Sequence, residues 1–317
     1  MKYSADMAIV RSQLNSSHIK IAMSDHLDGT WSRKAKDIAA GFTGGAVQVL
    51  IGQPFDLVKV RLQTGQFSSP IQTIASTIKN EGIGAFYKGT LPPLIGVGAC
   101  VSIQFYAFHE ARRQLLQHFS GPEQKDLTLR QFYLAGAFAG IVNTPITSPV
   151  EQLRILMQTQ PAGKNRIYNG PRDALRKIYE SQGFRGVFRG FNVTLLREAQ
   201  AYGVWFLTYE YLIDKALLRN GVQRNDLSTP ELLLCGALAG DALWLASYPL
   251  DVIKSKIQSD GFGEAAKYRN ARHAMYSIWR ENGVLGFWRG ITPALIRAIP
   301  CSAGTFATVE LTLRLLG

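Results

Sequence analysis

One spacing recurs three times along this 317-residue chain and governs what it can fold into. The segments Gly41-x3-Gly45-x8-Pro54-Phe-Asp56-x2-Lys59-x-Arg61-x-Gln63, Gly136-x3-Gly140-x8-Pro149-Val-Glu151-x2-Arg154-x3-Gln158 and Gly236-x3-Gly240-x8-Pro249-Leu-Asp251-x2-Lys254-x-Lys256-x-Gln258 align without gaps. A second element follows each: Glu81-Gly82-x4-Tyr87-Lys88-Gly89, Gln182-Gly183-x4-Phe188-Arg189-Gly190 and Asn282-Gly283-x4-Trp288-Arg289-Gly290. A period near 100 residues, repeated three times, means three copies of one structural unit.

Charge placement says what kind of unit. Only 18% of residues are charged, yet the net charge is +12. A soluble nucleic-acid binder of that charge would gather it on one face or tail. Here residues 38–55, 90–109 and 131–150 contain no Lys, Arg, Asp or Glu. Residues 191–209, 232–250 and 291–309 carry only Arg197, Glu198, Asp241 and Arg297. Each run approaches the ~20 residues that cross a bilayer as a helix. The connecting segments 59–89, 154–189 and 254–289 together carry a net +13, so the excess positive charge lies on one side of six spans. Such one-sidedness is the positive-inside pattern of membrane proteins.

Cys100, Cys235 and Cys301 all fall in the spans, with no disulfide or metal-ligand spacing, and read as small apolar packing residues. No secretory signal is evident. Residues 1–35 are polar and mixed in charge and are expected to form a flexible extension, with Met23 a possible alternative start. The histidines His18, His26, His109, His118 and His273 form no evident triad or metal set, so neither enzyme activity nor a cofactor is expected.

The triple Pro-x-Asp/Glu-x2-Lys/Arg, with its later aromatic-Lys/Arg-Gly element, resembles the signature of the mitochondrial carrier family from about residue 35 to 317. The resemblance implies an all-α membrane protein with six transmembrane helices in three pseudo-threefold repeats, each with a short matrix-side helix. The expected units are 36–119, 120–220 and 221–317. It further implies a functional monomer in the mitochondrial inner membrane, with both termini toward the intermembrane space.

Each motif then acquires an expected role. Gly41/Gly45, Gly136/Gly140 and Gly236/Gly240 let helices approach closely in lipid. Pro54, Pro149 and Pro249 kink the odd-numbered helices. Charges at membrane depth need partners, and the resemblance implies a matrix gate of Asp56 with Arg154, Glu151 with Lys254, and Asp251 with Lys59. Gln63, Gln158 and Gln258 fall where the family places bracing glutamines. The opposite, cytoplasmic gate is degenerate. Its copies read His109-Glu110-x2-Arg113, Tyr209-Glu210-x2-Ile213 and Val309-Glu310-x2-Leu313, leaving three acids with one evident base. Gly89, Gly190 and Gly290 mark helix starts that suit phosphate, and by resemblance bind cardiolipin.

Seven residues beyond those glycines lie Gly96, Arg197 and Arg297, ~10 Å deeper along each helix, matching the family's substrate contact points, with Glu198 beside the second. Gly96 is expected to leave room for a substrate side chain. An arginine holds a carboxylate with paired hydrogen bonds, and Glu198 suits an ammonium. The pattern resembles carriers of amino acids and carnitine or acylcarnitine, in the glutamate/ornithine/carnitine branch. Asp241 either binds a second substrate cation or pairs with Arg297. Trp244 is read as helix packing in preference to pocket wall. The competing functions are a proton-conducting uncoupler of the same fold and a soluble helical scaffold.

Overall fold

In the computed structural model, residues 31–119, 127–161, 163, 166–262 and 266–316 are described. Residues 1–30, with Met23, lie outside them, as does the side chain of Glu310. Six long helices dominate: α1 (Trp31–Gln63), α3 (Leu91–Phe119), α4 (Leu129–Thr159), α6 (Phe191–Asn220), α7 (Thr229–Ser259) and α9 (Ile291–Leu316). Three shorter ones intervene, α2 (Pro70–Glu81), α5 (Pro171–Val187) and α8 (Ala271–Asn282). Each repeat is thus long, short, long. The 31 residues of α4 span ~46 Å, more than a hydrocarbon core needs.

Local chemistry sets the boundaries. Thr128 and Gln131 form a capping box at the start of α4, as Ser228 and Glu231 do at α7. Pro70 and Pro171 open α2 and α5, where a missing N–H costs nothing. Gly82, Gly183 and Gly283 adopt φ of 79°, 60° and 59°, breaking the short helices at one place in every repeat. Pro54, Pro149 and Pro249 sit inside continuous helices.

Burial is inverted relative to a water-soluble protein. Gln53, Gln63, Asn143, Gln152, Gln158, Glu198, Asp251 and Lys254 are enclosed, while Ile95, Tyr106, Leu134, Leu234, Leu238 and Ile299 face outward. Polar inside and apolar outside is the arrangement that lipid requires. Among the described residues, two stretches, Ile83–Phe119 and Pro230–Ser259, reach the mean hydropathy usual for a span. The other long helices fall short because their inward faces carry polar side chains.

The long helices form a ring in the order α1, α3, α4, α6, α7, α9. Packing around it is uneven. Extensive contacts join α3 to α4, α4 to α6, α6 to α7 and α9 to α1, whereas α1 and α3, and α7 and α9, touch sparsely. Phe108, Phe132 and Phe206 cluster between α3, α4 and α6, with Phe108 and Phe206 stacked at 3.8 Å. Ile213, Leu227 and Cys235 seal α6 to α7. At their proline-bearing ends α1, α4 and α7 converge, which brings the signature residues together.

Candidate functional site

Just beyond each signature proline, the acid of one odd helix reaches the base of another. Asp56 lies 2.6 Å from Arg154, Glu151 2.6 Å from Lys254, and Asp251 2.7 Å from Lys59. These are the three pairings the family resemblance implies. Each acid also meets a second base. Arg297 donates to Asp56 at 2.5 Å, and Arg197 to Glu151 at 2.6 Å, while Arg197 Nε stands 3.6 Å from Asp251. Arg197 also contacts its neighbour Glu198 at 2.8 Å. Arg197, Arg297, Glu198 and the signature residues are therefore one network, with five bases and four acids. Burial of so many charges is tolerable because none stands alone.

The glutamines do not behave as three equal braces. Gln63 donates to Asp251 at 2.8 Å. The Gln158 amide has no hydrogen-bond partner among the described residues, and Gln258 reaches only Thr194, at 3.5 Å. The expectation of three braces is corrected to one. Arg154, four residues before Gln158, donates instead to Gln53 Oε1 at 2.5 Å. Gln53 was missed in the sequence, although a large polar residue just before a membrane-helix proline was a usable signal.

Trp244 packs, as expected, against the apolar cluster of Tyr248, Val252 and Ile253, and its ring also borders the network: Lys59 Nζ lies 3.8 Å above its centroid and Arg297 Cζ 5.8 Å away. Gly96 opens no hole, since a Cβ there would meet Val150 Cγ2 at 3.3 Å. Its small size lets α3 approach α4 beside Glu151. Asp241 forms no ion pair with Arg297 or any other described residue, and its Oδ1 is enclosed without a donor. Gly52 seats Arg297, because a Cβ would lie 3.3 Å from its Nε.

At the opposite mouth, Glu110 pairs with Arg113 at 2.6 Å along one helix face. Glu210 is not baseless as the motif suggested. Arg224, in the α6–α7 connection, grips it with two bonds of 2.8 and 3.0 Å. Ile213, the position where the motif would carry a base, is instead fully buried in the apolar α6–α7 seam. Tyr209 stacks on Trp205 at 5.2 Å.

The helix-start glycines lie at repeat boundaries. A Cβ on Gly89 would come within 2.9 Å of the Arg154 carbonyl, and one on Gly290 within 3.0 Å of the Lys59 carbonyl. Gly190 abuts Gln258. The adjoining bases make protein contacts: Lys88 with Glu81, Arg189 with Asp260 at 2.8 Å, and Arg289 with the Phe67 carbonyl at 2.8 Å. Beside Arg189 a cavity of about 540 Å³ is lined by Arg185, Arg269, Gln182, Phe262 and Tyr268.

The family described as mitochondrial carrier protein matches residues 30–119, 125–220 and 225–317. The chain is 43% identical over 290 residues to a glutamate/glycine mitochondrial carrier of Schizosaccharomyces pombe, covering 89% of this chain and 95% of that protein. It is 42% identical over 299 residues to a mitochondrial glycine transporter of Saccharomyces cerevisiae, covering 93% and 96%. A mitochondrial basic amino acids transporter of Bos taurus is 41% identical over 285 residues, covering 88% and 91%.

Proposed function

This chain belongs to the mitochondrial carrier family, and on that premise we propose that it exchanges a zwitterionic amino acid or carnitine-type solute across the mitochondrial inner membrane by alternating access. The observation that carries the reading is the buried network, in which five bases face four acids. One cation is in excess, and a carboxylate is its natural complement. Arg297 and Arg197 supply forked donors for that carboxylate, and Glu198 accepts the ammonium.

The matrix side is closed by the pairs Asp56–Arg154, Glu151–Lys254 and Asp251–Lys59. Opening it costs the pairs that α1 makes, Asp56–Arg154 and Asp251–Lys59, so a solute must bind the occluded state well enough to offset the loss. Substrate carboxylate competes with Asp56 and Glu151 for the same arginines. Asp241, whose enclosed oxygen lacks a donor, suits a second cation and favours basic amino acids such as ornithine. Glu110, Arg113, Tyr209, Glu210 and Glu310 close the opposite side, with Arg224 holding Glu210. Phosphate of cardiolipin binds at the starts of α3, α6 and α9, by Gly89, Gly190 and Gly290. The termini face the intermembrane space.

Proteoliposomes loaded with glycine, glutamate, ornithine or carnitine test this by counter-exchange of labelled solute. Arg197→Ala and Arg297→Ala are each expected to cut uptake about 100-fold, the scale of removing one partner of a buried charged pair. Asp241→Asn should lower ornithine uptake about tenfold while changing glycine uptake less than about twofold. Uptake of none of these solutes would reject the substrate class, and collapse of an imposed potential without solute movement would replace exchange by proton conduction.

A further inference from the structure

Gln53 is wholly buried on α1, immediately before Pro54. Its Nε2 donates to the Lys88 carbonyl at 2.6 Å, and its Oε1 accepts from Arg154 Nη2 at 2.5 Å. The same Arg154 nitrogen donates to Asp56 Oδ2 at 2.6 Å. A primary amide has one donor end and one acceptor end. With the donor end committed to a carbonyl, the oxygen must face a donor, and Arg154 provides it. One guanidinium nitrogen is thereby held by two acceptors, while the buried Nε has no partner among the described residues.

The equivalent positions in the other repeats show what this one does. Tyr248, before Pro249, donates its hydroxyl to the Arg289 carbonyl at 3.2 Å, and its ring lies 5.7 Å from Lys59 Nζ. Lys88 and Arg289 hold the same place, just before the glycine that starts the following long helix. In repeats one and three the residue before the proline therefore ties that turn to the base of a signature pair. Ser148 is too short to do so, and its hydroxyl has no partner among the described residues. The pair Glu151–Lys254 receives no such tie.

We infer that Gln53 is a positioning residue for transport, the amide that holds Arg154 on Asp56 and links that pair to the turn opening α3, in place of Gln158. The inference rests on the reading of this network as a gate. Gln53 and Asp56 share α1, while Arg154 belongs to α4, so separating the two helices breaks both bonds together. The brace raises the cost of opening the matrix side.

The test compares Gln53→Met, which keeps volume but removes the amide, with Gln53→Ala and Gln158→Ala. Each is made alone and in an Arg154→Gln background. In proteoliposomes the readout is solute efflux into substrate-free buffer relative to exchange. Both Gln53 variants should raise efflux relative to exchange about tenfold, the scale of a hydrogen bond to a charged group. Gln158→Ala should match wild type, and Gln53→Met should add nothing once Arg154 is neutral. An unchanged ratio in Gln53→Met, or an equal effect in the Arg154→Gln background, overturns the inference. If wild type carries none of the solutes, the transport reading fails by itself. Melting temperatures in detergent then decide the brace: the two substitutions must be non-additive, and additivity rejects it.

Discussion

Gly140 and Gly240 occupy the same place in their repeats but meet different surroundings. A Cβ on Gly140 would collide with the Glu198 carbonyl of α6, and one on Gly136 would stand 2.5 Å from the Tyr202 carbonyl. Beside Gly236 and Gly240 no described residue comes within 4 Å of an added Cβ. Gly140→Ala is therefore expected to destabilise the protein by about 1–3 kcal/mol, the usual cost of overpacking. Gly240→Ala should be neutral or stabilising by about 0.5–1 kcal/mol through helix propensity. Thermal unfolding in detergent separates the two, and equal losses would reject the packing difference. The contrast marks the limit of sequence reading here. The acid and base of each signature were legible because they keep a fixed offset in a repeated unit, while which acid meets which base came from the family resemblance. Gln63, Gln158 and Gln258 also keep that offset, yet only one reaches an acid, because reach depends on what already surrounds each base. Arg224 and Gln53 left weaker traces, since both act through folding that brings distant positions together. The Gly96 expectation failed for the same reason: what a helix face meets is decided by its neighbours, here Val150.

The short helices dock on the proline-bearing long ones by different chemistry in each repeat. Arg61, nearly enclosed, donates to Thr77 at 2.9 Å and Glu81 at 2.9 Å on α2, and Lys88 joins the same carboxylate. On α8 the corresponding contact is the looser Lys256–Glu281 pair at 3.6 Å. In repeat two Leu156 replaces the base, and α5 is held by Leu156, Met157, Ala174, Ile178 and Val187. Only the first and third docks should respond to pH. Burial alone would raise the Glu81 carboxyl, but hydrogen bonds from Arg61 and Lys88, with their positive charges, outweigh it and lower its pKa. A folded-state pKa below the unfolded one gives stability that is present above the unfolded value and lost as pH falls through the folded value. Glu81→Gln should therefore lower the melting temperature at neutral pH, by the equivalent of about 1 kcal/mol. Its curve should converge with wild type on the acid side. A gap that persists unchanged in acid would show that the carboxylate charge does not dock α2.

A threefold sequence does not oblige the whole molecule to move with threefold symmetry, and the packing divides it in two. The aromatic cluster of α3, α4 and α6 and the apolar seam of α6 with α7 join four long helices into one body. The chain's two ends supply the other, α1 with α9, interlocked where Gly44 admits Val309 and Thr43 meets Thr312 at 3.0 Å. The boundaries between the bodies are the sparse α1–α3 and α7–α9 seams. Two signature pairs cross the boundary, Asp56–Arg154 and Asp251–Lys59, whereas Glu151–Lys254 and Arg197 lie wholly within the larger body. Arg297 and Asp56 likewise stay together on the smaller one. Interfaces packed this densely move as units, so opening toward the matrix should swing α1 and α9 away while Glu151 keeps Lys254. Paired cysteines in a background lacking Cys100, Cys235 and Cys301 can test this with a short thiol cross-linker. Gln66 and Thr159 join α1's end to α4's by a 2.7 Å bond, and Gln152 and Gln258 join α4 to α7 by one of 3.1 Å. Cross-linking Gln66→Cys to Thr159→Cys should abolish exchange relative to the same variant left unlinked. Cross-linking Gln152→Cys to Gln258→Cys should leave most of it. If both links block equally, all three odd helices separate together and the two-body division is wrong.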